Sequence, residues 1–213
     1  MADTARARPG GRTARVRAAV LDATVAELAE HGYAELTVEA VAARAGVNKT
    51  TLYRRWGGKN GLLVDAVEAF GAGQAEVPDT GQVDEDLRRW ARSIVTTLTA
   101  PASGAVIRAL FNGAGDSPQV RHLRHRFWLA RSTLVLPMVE RAIERGQLPP
   151  GTDALEVIRH VGAPLYYRLL VLAEPPTAEA ADLAAAVTLA AARAGVFVAA
   201  PRASPDAVQE SRR

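Results

Sequence analysis

The sequence predicts an all-α fold. Apolar residues recur at helical spacing of three and four from about residue 12 to residue 198, and no stretch alternates apolar and polar residues as a half-buried strand would. Glycine and proline fall between these stretches at intervals of a helix length. Hydrophobic residues make up 48% and charged residues 23% of 213 residues, the balance of a globular chain with room for two helical domains. The expected architecture is an N-terminal three-helix helix-turn-helix domain and a C-terminal helical bundle.

Residues 1–12 carry Arg6, Arg8 and Arg12 with no apolar core behind them. They read as a flexible basic arm rather than a secretory signal. A first helix is expected from about Arg12 to Glu30, closed by His31-Gly32. Thr37 is a good N-cap for a short helix with Val38, Val41, Ala42 and Ala45 on one face, and Gly46 supplies the left-handed backbone that ends it. Asn48 caps the next helix, whose apolar side is Val47, Leu52 and Trp56. A fourth helix starts near Gly58-Lys59 with a stripe of Leu62, Leu63, Ala66, Val67 and Phe70. The first domain is thus placed at 13–75, and Glu76 to Gln82, with Pro78 and Gly81, forms the boundary.

The second domain is placed at 83–200. Val83 to Thr99 is apolar at Leu87, Trp90, Ala91, Ile94, Val95 and Leu98. Pro101 interrupts, and Ala105 to Phe111 reads as a short helix ended by Asn112-Gly113. Ser117-Pro118 restarts a helix with a cap and a first-turn proline, carrying Val120, Leu123, Phe127, Ala130, Leu134 and Met138 as far as Gly146. Asp153 to Ala173 and Thr177 to Val198 form the last pair, separated by Pro175-Pro176. The tail 201–213 reads as disordered.

The two short helices between Leu36 and Trp56 are the most informative part of the chain, because two helices joined by a tight glycine turn fit a DNA major groove. The second leaves Lys49, Thr50, Thr51, Tyr53, Arg54 and Arg55 outside, groups suited to phosphate oxygens and guanine edges. Charge agrees once it is located. Residues 1–60 carry ten basic and six acidic side chains, a net of +4, while the remainder nets −1. Double-stranded DNA is the partner this split favours.

Here the chain resembles the TetR family of bacterial transcription regulators. The resemblance rests on Val20-Leu21-Asp22-Ala23 and Leu28, the break His31-Gly32-Tyr33, then Leu36-Thr37-Val38, Ala45-Gly46-Val47-Asn48-Lys49-Thr50-Thr51-Leu52-Tyr53, and Lys59 with Leu62-Leu63. Asn48 stands where the family often has serine, and both cap a helix through a side-chain oxygen. The resemblance implies that Lys49, Thr50, Thr51 and Arg55 meet base edges, that Thr37, Tyr53 and Lys59 hold phosphates with Arg44 beside them, and that Asn48 belongs to the same surface. It implies a ligand-responsive repressor that binds an inverted-repeat operator as a homodimer; with neither a secretory signal nor an apolar run of membrane length, a cytoplasmic place is expected.

The stretch Gly162-Ala163-Pro164-Leu165-Tyr166-Tyr167-Arg168-Leu169-Leu170-Val171 resembles one branch of that family, where it lines the effector chamber and abuts the partner subunit. Pro164 and Pro137 leave the carbonyls of His160 and Thr133 without helical donors, so neighbouring helices are expected to splay around a small-molecule pocket edged by Phe111, Trp128, Tyr166 and Tyr167. The last helix carries Leu183, Val187, Ala190, Ala191, Ala194 and Val198 on one side, which would pair with the helix before it across a two-fold axis.

Other chemistry finds little support. Zero cysteines removes disulfides and thiolate sites. His122 and His125 sit among Arg121, Arg124 and Arg126, cations that repel a metal, and the glycine pairs lack the third glycine of a dinucleotide loop. No cofactor, metal site, membrane span or enzymatic activity is therefore expected. The alternative to a regulator is a helical ligand-binding or interaction protein, which leaves the basic surface from Lys49 to Arg55 unexplained.

Overall fold

A computed structural model of the chain describes residues 10–71, 76–115 and 117–198. The basic arm, apart from its last residues, and the tail 201–213 lie outside the described residues. Regular structure among the described residues is helical, with one isolated bridge between Thr152 and Val198.

Four helices lie within residues 10–71: α1 (Gly10–Glu35), α2 (Val38–Ala45), α3 (Lys49–Trp56) and α4 (Lys59–Gly71). Helix α1 breaks where the sequence indicates, at Gly32 with φ 76°, but a further turn continues to Glu35. The Thr37 hydroxyl accepts the Ala40 N–H at 3.1 Å to start α2, and Gly46 at φ 64° closes it by donating to Ala42 and Ala43. A side chain at Gly46 would meet strain of about 1–2 kcal/mol in this left-handed conformation. Asn48 caps α3 by accepting the Thr50 N–H at 2.9 Å. The stripes of these helices close over one core that includes Val20, Leu28, Leu36, Val41, Leu52, Leu62 and Leu63, all buried. Each such side chain contributes about 1.5–3 kcal/mol when fully buried.

Beyond residue 76 come α5 (Val83–Thr99), α6 (Pro101–Arg108), a π-helical turn (Ala109–Gly113), α7 (Pro118–Glu144), α8 (Ala154–Leu170) and α9 (Ala178–Arg193). Pro101 starts α6 rather than interrupting, because at the first helical position its missing N–H has no partner to lose. Pro137 and Pro164 stand inside α7 and α8.

The chain forms two compact units whose limits fall within helices. One holds residues 1–75, 95–131 and 166–176; the other holds 76–94, 132–165 and 177–213. In the first, α1 packs on α2, α4, α6 and the π-turn. In the second, Leu87, Met138, Val139, Val157, Val161 and Leu165 are buried, and Arg193 pairs with Asp84 and Arg92 with Asp182.

Two stripes differ from expectation. On α7, Val120, Leu123 and Phe127 are buried, but Ala130 and Leu134 are exposed and burial resumes at Val135, Met138, Val139 and Ala142. The two halves of this helix belong to different units, and its buried stripe rotates between them. On α9 the buried face is Ala181, Ala184, Ala185, Thr188, Leu189 and Ala192. The stripe read from the sequence faces out, with Leu183 63% and Val187 60% exposed. Alanine on both sides makes this helix apolar nearly all round, so period alone does not choose its inner face.

Candidate nucleic-acid interface

Helix α3 has one fully buried side chain, Leu52, with Trp56 half-buried beside it. At about 100° per residue, Arg54 lies about 200° round from Leu52 and Thr50 about 160°. These two therefore centre the outward face. Lys49 and Tyr53 form one flank, and Thr51 and Arg55 the other; all but the half-buried Thr51 are exposed. Arg54 is missing from the residues the family resemblance assigns to base edges, and counting helical angles from Leu52 finds it.

Residues of α1 and α4 flank that face. Trp56 Nε1 donates to Asp65 at 2.9 Å, and the same carboxylate accepts from Arg17, whose Nε lies 3.0 and 3.1 Å from its two oxygens. One α4 residue thus brackets α1 and the end of α3. Burial alone would push the Asp65 carboxyl up, but the hydrogen bonds from Arg17 and Trp56 outweigh it and hold the carboxyl below the usual range. Arg55 stacks over the Trp56 ring at 4.8 Å. Thr13 and Val16 of α1 face Thr51, Arg54 and Arg55 across a basin of about 460 Å3, open to solvent and edged by two guanidinium groups.

The remaining expected DNA contacts are placed as follows. Thr37 is exposed, and while its oxygen caps α2 its hydroxyl proton stays available to an acceptor. Tyr53 donates to Glu39 at 3.2 Å, and that charge raises the phenol's pKa. Arg44 is bound by Glu30 and, at 2.8 Å, by Glu27, so two carboxylates occupy its fork. Lys59 donates to the carbonyls of Tyr33 and Ala34 at 3.3 Å each, and its ammonium lies 4.7 Å from the centre of the Tyr33 ring. It closes the C-terminal end of α1, as a cation at that end of a helix should.

Of the four residues read as a pocket, three come together. Phe111 lies 5.7 Å from Trp128, and Trp128 lies 4.5 Å edge-on from Tyr166, with Phe127 joining at 5.7 Å. Tyr166 is buried, which pushes its phenol pKa up, while Trp128 stays 37% exposed. Tyr167, one position further round α8, is 53% exposed and outside the cluster. A separate apolar groove of about 560 Å3 runs between α1, α4 and α6, past Leu21, Val25, Phe70 and Val106.

A capped pair of short helices, the second presenting cations and hydroxyls while anchored only from behind, defines a helix-turn-helix DNA-binding protein. Comparison with known proteins gives the family. Residues 20–66 match the model of the bacterial regulatory proteins of the tetR family, and residues 77–193 match the tetracyclin repressor-like C-terminal domain. The HTH-type transcriptional regulator AqdR of Rhodococcus erythropolis is 38% identical over 71% of this chain and 72% of its own length. The DNA-binding transcriptional repressor TetR of Mycobacteroides abscessus is 32% identical over 74% of this chain and 83% of its own. The solved structure of the TetR family regulator SCO0332 is 30% identical, with a TM-score of 0.64 over 83% of this chain and 97% of that one. The chain belongs to the TetR family of transcription regulators.

Proposed function

We propose that this chain is a ligand-responsive repressor that binds an inverted-repeat operator as a homodimer in the cytoplasm. The observation that carries this reading is the outward face of α3, where Thr50 and Arg54 are flanked by Lys49, Tyr53, Thr51 and Arg55 while Leu52 alone is fully buried. Lys49, Thr50, Thr51, Arg54 and Arg55 read base edges, Thr37, Tyr53 and Asn48 meet the backbone, and Arg44 and Lys59 chiefly seat the motif through the partners they already hold. The repressing sense is supported by the repressor from Mycobacteroides abscessus.

An eight-residue reading helix makes few contacts, so two copies one turn of duplex apart, about 34–36 Å, multiply its specificity. The second copy docks on the outward stripe of α9, where Leu183, Val187, Ala190 and Ala194 lie exposed. The effector is a small apolar molecule with a polar handle, received at the aromatic cluster of Phe111, Trp128 and Tyr166. Its arrival shifts α4 and so changes the separation of the two reading helices.

Selection of bound fragments from random duplex DNA by the purified full chain tests this reading. A palindrome with half-sites at that spacing is the expected result. No enrichment at moderate ionic strength, with a monomer in sedimentation, overturns it in favour of a helical binding protein without DNA readout.

A further inference from the structure

The geometry points to Tyr33 as the positioning residue that carries a change at the aromatic cluster to the DNA-reading end, through its contact with Gly113 of the π-turn. The inference rests on the regulator reading above and names the device by which that site is controlled. Every residue in it belongs to one compact unit.

The route begins at the π-helical turn Ala109–Gly113, where the Ala114 N–H reaches back to the Ala109 carbonyl at 2.9 Å. A π-turn holds one residue more than an α-helical turn over the same rise, and such turns recur at functional sites because they can re-register. Here a guanidinium stabilises the turn: Arg124 donates to the carbonyls of Leu110, Phe111 and Gly115 at 2.9, 3.0 and 2.9 Å. Asn112 in the same turn donates to the Leu170 carbonyl at the end of α8, at 3.0 Å. The turn also carries Phe111, which touches both Phe127 and Trp128. A ligand that displaces the Phe111 ring therefore acts directly on the turn.

At its far end the turn meets Tyr33 without slack. A Cβ placed on Gly113 would stand 2.5 Å from the Tyr33 Cβ and 2.8 Å from its Cγ, so backbone and ring already touch. The same ring carries the Lys59 ammonium, and the Tyr33 hydroxyl donates to Asn60. Lys59 and Asn60 are the first two residues of α4, and only Gly57 and Gly58 separate them from α3. Re-registering the turn by one residue moves Gly113 along the α6 axis by about 1.5 Å. Tyr33 follows to keep its contact, and the start of α4 moves with it.

Coupling is reciprocal, so bound DNA must be felt at the cluster even with no effector present. This permits a test on the full chain without knowing the ligand. The three tryptophans, Trp56, Trp90 and Trp128, are labelled as 5-fluorotryptophan, assigned by single substitution, and followed by 19F NMR while the selected duplex is added. The Trp128 resonance is expected to shift on binding. Tyr33→Leu is expected to abolish that shift, and Tyr33→Phe, which keeps the ring on Gly113, to restore it. Gly113→Ala disturbs the same contact from the other side without a core deletion. It is expected to displace the Trp128 resonance before DNA is added and to change duplex affinity by about 5- to 150-fold, the usual range of allosteric coupling.

A merely structural Tyr33 lowers the melting temperature of Tyr33→Leu but leaves the Trp128 shift intact, which overturns the proposal. Specific duplex binding with a silent Trp128 in the unsubstituted chain overturns it too while leaving the regulator reading standing. Absence of specific duplex binding removes both.

Discussion

Replacing Asp65 with alanine removes the carboxylate that brackets α1, α3 and α4, and its cost can be worked from the contacts. The Asp65 side chain is 18% exposed and Arg17 40%, so the ion pair is partly screened and contributes up to about 1 kcal/mol. Half-buried Trp56 loses the acceptor of its indole N–H, which costs about 1–3 kcal/mol because water reaches it poorly. The total of about 1–4 kcal/mol corresponds to a fall in melting temperature of roughly 2–16 °C for a chain of this length. Asp65→Asn retains an acceptor for Trp56 and loses the charge, so it should fall between. Because the folded carboxyl titrates below its unfolded value, the stabilisation is fully present above the unfolded pKa, about 3.9, and is lost as pH falls through the lower folded value. Thermal unfolding by circular dichroism, repeated from neutral pH downward, should show a constant gap between wild type and Asp65→Ala that narrows only in strong acid, by the share of the Arg17 ion pair, because the protonated carboxyl still accepts from Trp56. A shift under about 2 °C at neutral pH, the equivalent of less than 1 kcal/mol, would refute the bracket.

Three further outcomes are expected. Arg54→Ala should lower operator affinity by the equivalent of about 1–3 kcal/mol and relax preference at one base pair in each half-site, read by repeating the duplex selection. A uniform loss across sequences, with a shallower salt dependence, would reassign Arg54 to phosphate. Gly46→Ala should cost about 1–2 kcal/mol in melting experiments, because its φ of 64° disfavours any Cβ, and an unchanged melting temperature would show that the turn relaxes. Leu183→Glu combined with Val187→Glu should yield a folded monomer in sedimentation with weakened operator binding; a dimer that survives both charges would place its interface elsewhere.

What was legible in the sequence was local. Thr37, Gly46 and Asn48 announce the two helices because a cap acts within three residues of itself, and each was found in that role. The all-α class follows from period alone. The brackets were not legible: Arg17 and Asp65 are 48 residues apart, and nothing in either helix's own pattern marks the pair. Lys59 reads as a phosphate ligand from its place in the motif, yet its amine lies over the end of α1, a relation that exists only once α4 packs there. The π-turn was hidden for a different reason. Ala105 to Phe111 has helical period, and one extra residue in the last turn leaves that period unchanged over so short a span.

The reading helix is too short to stand alone. Isolated helices below about 12–15 residues are marginal in water, and α3 has eight residues, one of them fully buried. Its shape therefore comes from Asn48 and Gly57 at its ends, and its orientation from Leu52 beneath it and from Trp56 on Asp65. The partner of Trp56 belongs to α4, and α4 begins with the two residues that hold Tyr33. Helix α3 packs on α2 as well as α4, and its C-terminal end is pinned to α4. The scarcity of apolar contact that leaves α3 free to face DNA thus leaves its orientation to a few polar bonds, of which Trp56 on Asp65 ties it to α4.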